Sequence, residues 1–344
     1  MAEYINEKAG YLDEKAGAVT VDFAPWRPRT QTYIDGHTLQ AVTVEKAWGE
    51  YKLNDGNSIP AIAYGTWTLG NGDNAIGQVD QALGTGFDHV DTAQSYGNEE
   101  EAGKAIASSG LKREEIFITT KFSGRDNLSI AESIQASLKK LNVKYVDLYL
   151  IHHPRLAQPD IKTAWAEMEK IKAAGFAKSI GVSNFGVTEL TELLATAKVK
   201  PAANQILLHP YVHARQAPTL ALCAANGIIV EAYSALLPIT QLPGGALDKP
   251  LAEISAKLNA KPEQVLLAWV KAKGAVVVTT SSKKDRLESY LAAASLPLST
   301  ADVARLDAAG AVGYQSRKLK FALYTLAITG LFGVVNHLGR AFYA

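Results

Sequence analysis

Short apolar runs alternate with amphipathic stretches through most of this chain. The runs are Ile62–Gly65, Phe87–Thr92, Ile116–Thr120, Tyr145–Ile151, Ala177–Val182, Ala202–Leu208, Ile228–Ser234 and Ala275–Thr279. Most are nearly continuous in Val, Ile, Leu, Phe and Tyr, as expected of parallel strands covered on both faces. Between them, Ile130, Ile134, Ser137, Leu138 and Leu141 fall at helical spacing, as do Trp165, Met168 and Ile171, and then Leu190, Leu193 and Leu194. Pro262 precedes Glu263 to Leu267, where proline suits the first turn of a helix. Eight strands, each followed by a helix over roughly 250 residues, predict an α/β fold, a (β/α)8 TIM barrel. The competing doubly wound sheet is announced by G-x-G-x-x-G after its first strand. Neither that motif nor a Walker loop occurs here.

The flanks read differently. Asp55-Gly56 between short flanking segments predicts an N-terminal β-hairpin. Residues 1–50 read as an extension, loose or draped over the barrel, in which Pro25 and Pro28 break regular structure. Residues 51–315 are assigned to the barrel and 316–344 to an apolar tail. The N-terminus is acidic and lacks the apolar core of a secretory signal. In the tail, Phe321–Gly339 contains no Asp, Glu, Lys or Arg, and its length falls in the range of roughly 17–25 residues that spans a bilayer. Arg317, Lys318 and Lys320 precede it, as on a cytosolic flank. A helix packed on the barrel accounts for the same residues, and Asn336, His337 and three glycines favour it. Both readings of the tail stay open.

Composition narrows the function classes. The chain has 344 residues, 47% of them hydrophobic and 20% charged, which excludes a disordered or collagen-like protein. A net charge of +1 leaves no excess of cations to displace counterions from nucleic acid. The single cysteine, Cys223, permits no internal disulfide and fits a reducing compartment, the cytoplasm. Its expected role is helix packing. His152-His153 and the pair His209 and His213 lack accompanying carboxylates or thiols, so no metal site is expected.

A barrel concentrates its chemistry where strands end. Here Asp91 closes the second run, Lys121 the third and His152 the fourth, while Ser183-Asn184 and Asn204-Gln205 close the next two. Buried charges on three consecutive strands should pair with each other. Tyr96 follows Asp91 by five positions; Gly97 permits a tight turn there, and Asn98 can cap the helix carrying Glu99, Glu100 and Glu101. The phenol is therefore expected at the barrel mouth beside Lys121.

The residues Gly65-Thr66-Trp67, Asp91-Thr92-Ala93, Tyr96-Gly97-Asn98-Glu99, Thr120-Lys121, Leu150-Ile151-His152 with Pro154, Ile180 to Phe185, Asn204-Gln205 with His209-Pro210, and Tyr233-Ser234 together resemble the aldo-keto reductase family. The matching text runs from about residue 53 to 310, and the flavour is of fungal members. The resemblance implies reduction of aldehydes or ketones by NADPH, an alcohol-dehydrogenase-type reaction. It implies Tyr96 as general acid, its pKa lowered from ~10 towards 7 by Lys121. Asp91 would hold Lys121, and His152 would orient the substrate oxygen.

By the same resemblance, Ser183, Asn184 and Gln205 would bind the carboxamide, Tyr233 would stack on the nicotinamide, and Ser234 and Leu236 would follow the pyrophosphate. Gly65 and Thr66 belong to the cofactor set. Thr280-Ser281 stand where many members have Lys-Ser, and Arg286, with Lys283 and Lys284, would meet a 2′-phosphate. Ser289 and Tyr290 replace a polar pair that meets adenine. Trp67 and His153, the latter at a position usually tryptophan, would line the substrate pocket. The apolar loop from Leu236 to Lys249 suits small dicarbonyls or aldehydes. The partner is thus a small carbonyl compound, with the membrane as a second partner if the tail spans it; oligomeric state is not legible. Two alternatives stay open: a catalytically silent barrel serving as a membrane- or channel-associated subunit, and, less well supported, a TIM-barrel hydrolase, which would need paired carboxylates.

Overall fold

The computed structural model describes residues 26–34 and 41–313. The tail run Phe321–Gly339 and its basic flank lie outside the described residues.

Eight parallel strands close into a barrel. They are β4 (Ile62–Gly65), β5 (His89–Asp91), β6 (Phe117–Phe122), β7 (Val146–Ile151), β8 (Ala177–Ser183), β9 (Ala203–Leu207), β10 (Ile229–Tyr233) and β11 (Val276–Thr279), and closure comes from pairing β11 with β4. Each falls within or beside one of the apolar runs. Nearly every strand residue is buried, because the inner face meets the barrel core and the outer face meets a helix. The helical stripes also form: in Ile130–Leu141 the buried residues include Ile130, Ile134, Ser137, Leu138 and Leu141, and Ser129 and Glu132 cap one another at the start. Pro262 occupies the first turn of Pro262–Ala272.

The N-terminal end of the barrel is covered by an antiparallel sheet of β1 (Trp26–Ile34), β2 (Ala41–Lys52) and β3 (Ser58–Pro60). The Asp55-Gly56 turn joins β2 to β3, with Lys52 opposite Ser58 and Tyr51 opposite Ile59. Trp48, Tyr51, Leu53 and Ile59 are buried there, and the Trp48 indole donates to the carbonyl of Tyr290 at 3.0 Å. The described part of the extension is more regular than Pro28 suggests. Pro28 lies inside β1, at a register shift between Arg27 and Arg29, which is where a strand tolerates a residue without an N–H. The loop after β10 is also partly helical, over Leu237–Thr240, with Pro238 in its first turn.

The last described helix, over residues 300–313, is clamped to Pro262–Ala272 by Asp307, which accepts from the Trp269 indole at 2.8 Å and pairs with Lys273 at 2.5 Å. No described helix is long and apolar enough to cross a membrane.

Barrel closure demands close backbone approach at Gly181 in β8. A Cβ there would lie 2.6 Å from the carbonyl oxygen of Ala203 and 2.7 Å from the Leu150 side chain. Gly181→Ala should therefore destabilise the chain by about 1–3 kcal/mol, the usual cost of overpacking a core, read as a lower urea midpoint. An unchanged midpoint would contradict the packing described here.

Candidate active site

Asp91 ends β5, Lys121 lies near the end of β6, and His152 directly follows β7, so three neighbouring strands deliver their polar ends to one face. Tyr96 is carried by the single turn Gln94–Tyr96, which Gly97 terminates in the left-handed region at φ 73°. The Lys121 ammonium donates to Asp91 Oδ1 at 2.7 Å, to the carbonyl of Thr92 at 2.9 Å and to the Tyr96 hydroxyl at 3.3 Å. All three of its protons are thus used. Asp91 Oδ2 accepts from Gln205 Nε2 at 2.7 Å. Lys121 is 0% exposed and Asp91 2%, so this is a buried ion pair whose outer positions are also satisfied, the condition under which such a pair is tolerated.

Burial alone would push the Lys121 ammonium down, but the adjacent Asp91 and Tyr96 outweigh it and the net shift is upward. The cation persists at any working pH. For Tyr96, burial is the largest influence and raises the pKa; Lys121 draws it back, Asp91 raises it again, and the phenol ends above its ordinary value. The expected descent towards 7 does not arise from the chain's own groups, because burial outweighs the pull of Lys121 and Asp91 opposes it. Tyr96 holds its proton at neutral pH.

The interior of β10 carries an ionisable group that the strand-end pattern does not flag. Glu231 is 0% exposed, and burial together with repulsion from Asp91 pushes it up to about 8. Two acids face one ammonium, and the one without a cation partner keeps its proton. Negative charge beside Lys121 is then confined to Asp91. A lone Glu inside the apolar run Ile228–Ser234 was the available signal.

The His152 imidazole packs edge-on against Tyr96, ring centroids 5.6 Å apart. Burial and then the Lys121 charge push it down to about 3, so the ring is neutral. Its Nδ1 lies 2.9 Å from Ser123 Oγ and 3.3 Å from Ser95 Oγ. Neither serine was singled out from sequence, although Ser123 directly follows the end of β6. Asn98 sits at the start of the helix Glu99–Ser108 but makes no side-chain cap. Its amide donates to the carbonyls of Thr66 and Gly70 and its oxygen accepts from Thr66, tying the loop after β4 to the loop after β5.

Beside these four, Asn184 adopts φ 62° and donates through Nδ2 to Ser183 Oγ and to the carbonyl of His152, both at 3.0 Å. Its Oδ1 accepts from the Tyr233 hydroxyl at 2.7 Å, and Ser183 Oγ donates to the Gln205 carbonyl at 2.9 Å. Ser183, Asn184, Gln205 and Tyr233 are therefore one hydrogen-bonded group, joined to the Asp91–Lys121–Tyr96 cluster through Gln205 and Asp91. Ser234 is also left-handed at φ 57°, and Leu236 precedes the short helix after it.

Around the rest of the rim, Gly65 ends β4, and the Thr66 hydroxyl is committed to Thr92 and Asn98. Thr280 Oγ1 is buried without a well-formed hydrogen bond among the described residues, in the segment expected to meet a nucleotide. Ser281 Oγ accepts from the Lys283 N–H at 3.1 Å, and Lys283 and Arg286 are exposed without an ion-pair partner among the described residues. Donors, the Thr280 hydroxyl and available cations fit a phosphorylated dinucleotide. Ser289 and Tyr290 are both buried, and the Tyr290 carbonyl accepts from the Trp48 indole.

Trp67 is 69% exposed beyond β4, an apolar surface at the mouth. His153 is half-buried and its Nδ1 accepts from the Arg155 N–H at 3.3 Å, closing the turn Pro154–Leu156. Cys223 is buried, and burial pushes its thiol up to about 12, so it is unreactive. A cavity of about 230 Å³ lies at the opposite end of the barrel, lined by Glu50, Asn57, Asp147 and Lys178 among others. Its Asp147 is already paired with Lys178 and Arg113, so it offers no free chemistry.

Residues 61–311 match the Aldo/keto reductase family. The chain is 36% identical, over 77% of its own length and 96% of the relative's, to a protein of Schizosaccharomyces pombe named NAD/NADP-dependent indole-3-acetaldehyde reductase. It is 35% identical to an aldehyde reductase of Saccharomyces cerevisiae, over 74% of this chain and 89% of that one. Among solved structures, an aldo-keto reductase of Bombyx mori in complex with NADP superposes with a TM-score of 0.69 at 32% identity, covering 75% of this chain and 91% of that one. With strand-end residues, barrel and relatives in agreement, the chain belongs to the aldo/keto reductase family.

Proposed function

We infer that this chain reduces aldehydes or ketones to alcohols by hydride transfer from NADPH, and that Tyr96 is the general acid. The observation that carries this reading is a phenol whose oxygen accepts from a buried ammonium, which is itself anchored on Asp91. A carbonyl oxygen that gains negative charge as hydride reaches its carbon needs a proton source and hydrogen-bond donors already in place. Tyr96 supplies the proton. As the phenol begins to lose it, the Lys121 charge stabilises the developing phenolate. Neutral His152 donates to the same substrate oxygen and orients it. Glu231, by staying protonated, leaves the Lys121 field opposed only by Asp91.

Bound NADPH would supply the hydride. Ser183, Asn184 and Gln205 would hold its carboxamide, Tyr233 would face the nicotinamide ring, and Ser234 and Leu236 would follow the pyrophosphate. Gly65, Thr66, Thr280, Ser281 and Arg286 complete the contact set, and the unpaired cations Lys283 and Arg286 favour a 2′-phosphate over a free ribose. Trp67 and His153 flank the substrate entrance, and with Leu236–Ile239 they suit small, moderately apolar aldehydes and dicarbonyls. The reverse reaction, oxidation of the alcohol by NADP+, uses the same residues as base and charge stabilisers.

The silent-subunit alternative has no finding in its favour, since relatives of high coverage are named as reductases. The single cysteine supports a cytoplasmic location. A membrane tether through Phe321–Gly339 rests on its composition alone; recovery of the full chain with membranes, compared with a truncation after Ser316, tests it.

Tyr96→Phe should lower kcat for aldehyde reduction by at least about 100-fold, the contribution of a positioned acid, while NADPH affinity stays within a factor of two by fluorescence titration. Full turnover in that variant would assign the acid elsewhere. The pH dependence is equally specific. His152 is neutral throughout, and Tyr96 and Glu231 work in their protonated forms, so activity is lost only on the alkaline side, as Glu231 ionises at about 8 and the phenol above its ordinary value. The reductive kcat/KM should show no ionisation between pH 5 and about 7, where an ordinary histidine titrates, and should fall on the alkaline side. A fall of activity below about pH 6.5 would contradict a neutral His152.

A further inference from the structure

We propose that Ser95 and Ser123 are positioning residues for His152, two hydroxyls from separate loops that fix the imidazole as the tautomer with its proton on Nε2. The proposal deepens the reductase reading above and rests on it for its kinetic consequence, although the tautomer itself does not depend on turnover.

The argument begins with the number of protons available at Nδ1. Ser123 Oγ lies 2.9 Å from it and Ser95 Oγ 3.3 Å. Ser123 Oγ already accepts from the Ser95 N–H at 3.2 Å, so a lone pair is taken and its own proton is left to donate. The carbonyl of Lys121 is the other acceptor in reach, and at 3.4 Å it is the weaker one. The shorter contact makes Nδ1 the acceptor. Ser95 Oγ has no other hydrogen-bond partner among the described residues, and it too can donate to Nδ1. A neutral imidazole that accepts at one nitrogen must carry its proton on the other. Neutrality follows from the burial of the ring beside the Lys121 cation.

The two serines are themselves held. Gln94 Oε1 accepts from the Ser123 N–H at 3.1 Å, which laces the loop after β6 to the turn carrying Tyr96. Asn184 fixes the His152 backbone from the other side through its carbonyl at 3.0 Å. The ring is thus oriented by three loops at once. Nothing in the apolar pattern of the strands selects these hydroxyls; only the assembled mouth brings them to one nitrogen.

The deciding experiment is nitrogen-15 NMR of the full chain labelled at histidine, with His152 assigned by its loss in His152→Gln. The expected result is a pyridine-type Nδ1 and a pyrrole-type Nε2 for His152 at neutral pH. In the double variant Ser95→Ala with Ser123→Ala, that preference should weaken towards a mixture. Its kcat for aldehyde reduction should fall about 10-fold, the worth of one well-oriented hydrogen bond, with NADPH affinity unchanged. Ser123→Thr, which keeps the hydroxyl, should retain both the tautomer and the rate. A proton on Nδ1 in the unmodified chain, or a double variant with unaltered tautomer and rate, overturns the proposal. A chain without any NADPH-dependent turnover would overturn the reductase reading instead, and the NMR result would still decide the tautomer.

Discussion

A lysine ammonium with no access to solvent survives in a folded protein only when its lost hydration is replaced contact for contact. Lys121 meets that condition with a carboxylate, a carbonyl and a phenol oxygen. The first two contacts stabilise the charge, and the third exposes a tyrosine to it. Removing Asp91 would leave an uncompensated buried cation; removing Lys121 would leave Asp91 and Tyr96 without the field that links them. The rest of the site is arranged around this cation. Gln205 completes Asp91, the proton on Glu231 limits competing negative charge, and the cation helps to keep His152 neutral.

The barrel makes this arrangement affordable. Parallel strands in register place Asp91 opposite Thr119 and Lys121 opposite Leu150, so side chains distant in sequence arrive at one rim with little freedom left to lose. The loops add finer control. Gly97 turns the chain immediately after Tyr96, and Asn98 fastens that turn to the loop after β4. The covering sheet acts away from the rim, where it completes burial of the core, while the helix clamped by Asp307 lies against Pro210 and Tyr211, just past the end of β9.

Much of this was legible along the chain. Buried strands need unbroken apolar runs, and a barrel puts its chemistry at their ends, so Asp91, Lys121 and His152 could be read from position alone. Tyr96 required the resemblance to supply its role. What stayed hidden depends on partner choice across the fold. Asn98 stands where a helix cap belongs, yet its amide finds better-placed carbonyls on another loop. Ser95 and Ser123 look like ordinary loop serines until the third loop delivers His152. Glu231 is pushed up because the barrel buries it next to Asp91, which only the assembled fold shows. Pro28 reads as a breaker, but a register shift in an outer sheet accommodates it. The direction of Tyr96's own shift also needed coordinates, since it is the balance of burial against two opposite charges.

The central claim is that the Lys121 charge acts directly on the Tyr96 phenol. It is tested most directly by carbon-13 NMR titration of the Tyr96 ring carbon that bears the hydroxyl, in the unmodified chain and in Lys121→Met, with circular dichroism confirming that the variant is folded. Loss of the cation should move the phenol's titration to still higher pH. A titration that stays in place, or moves to lower pH, would show that the lysine does not govern the tyrosine and would contradict the account.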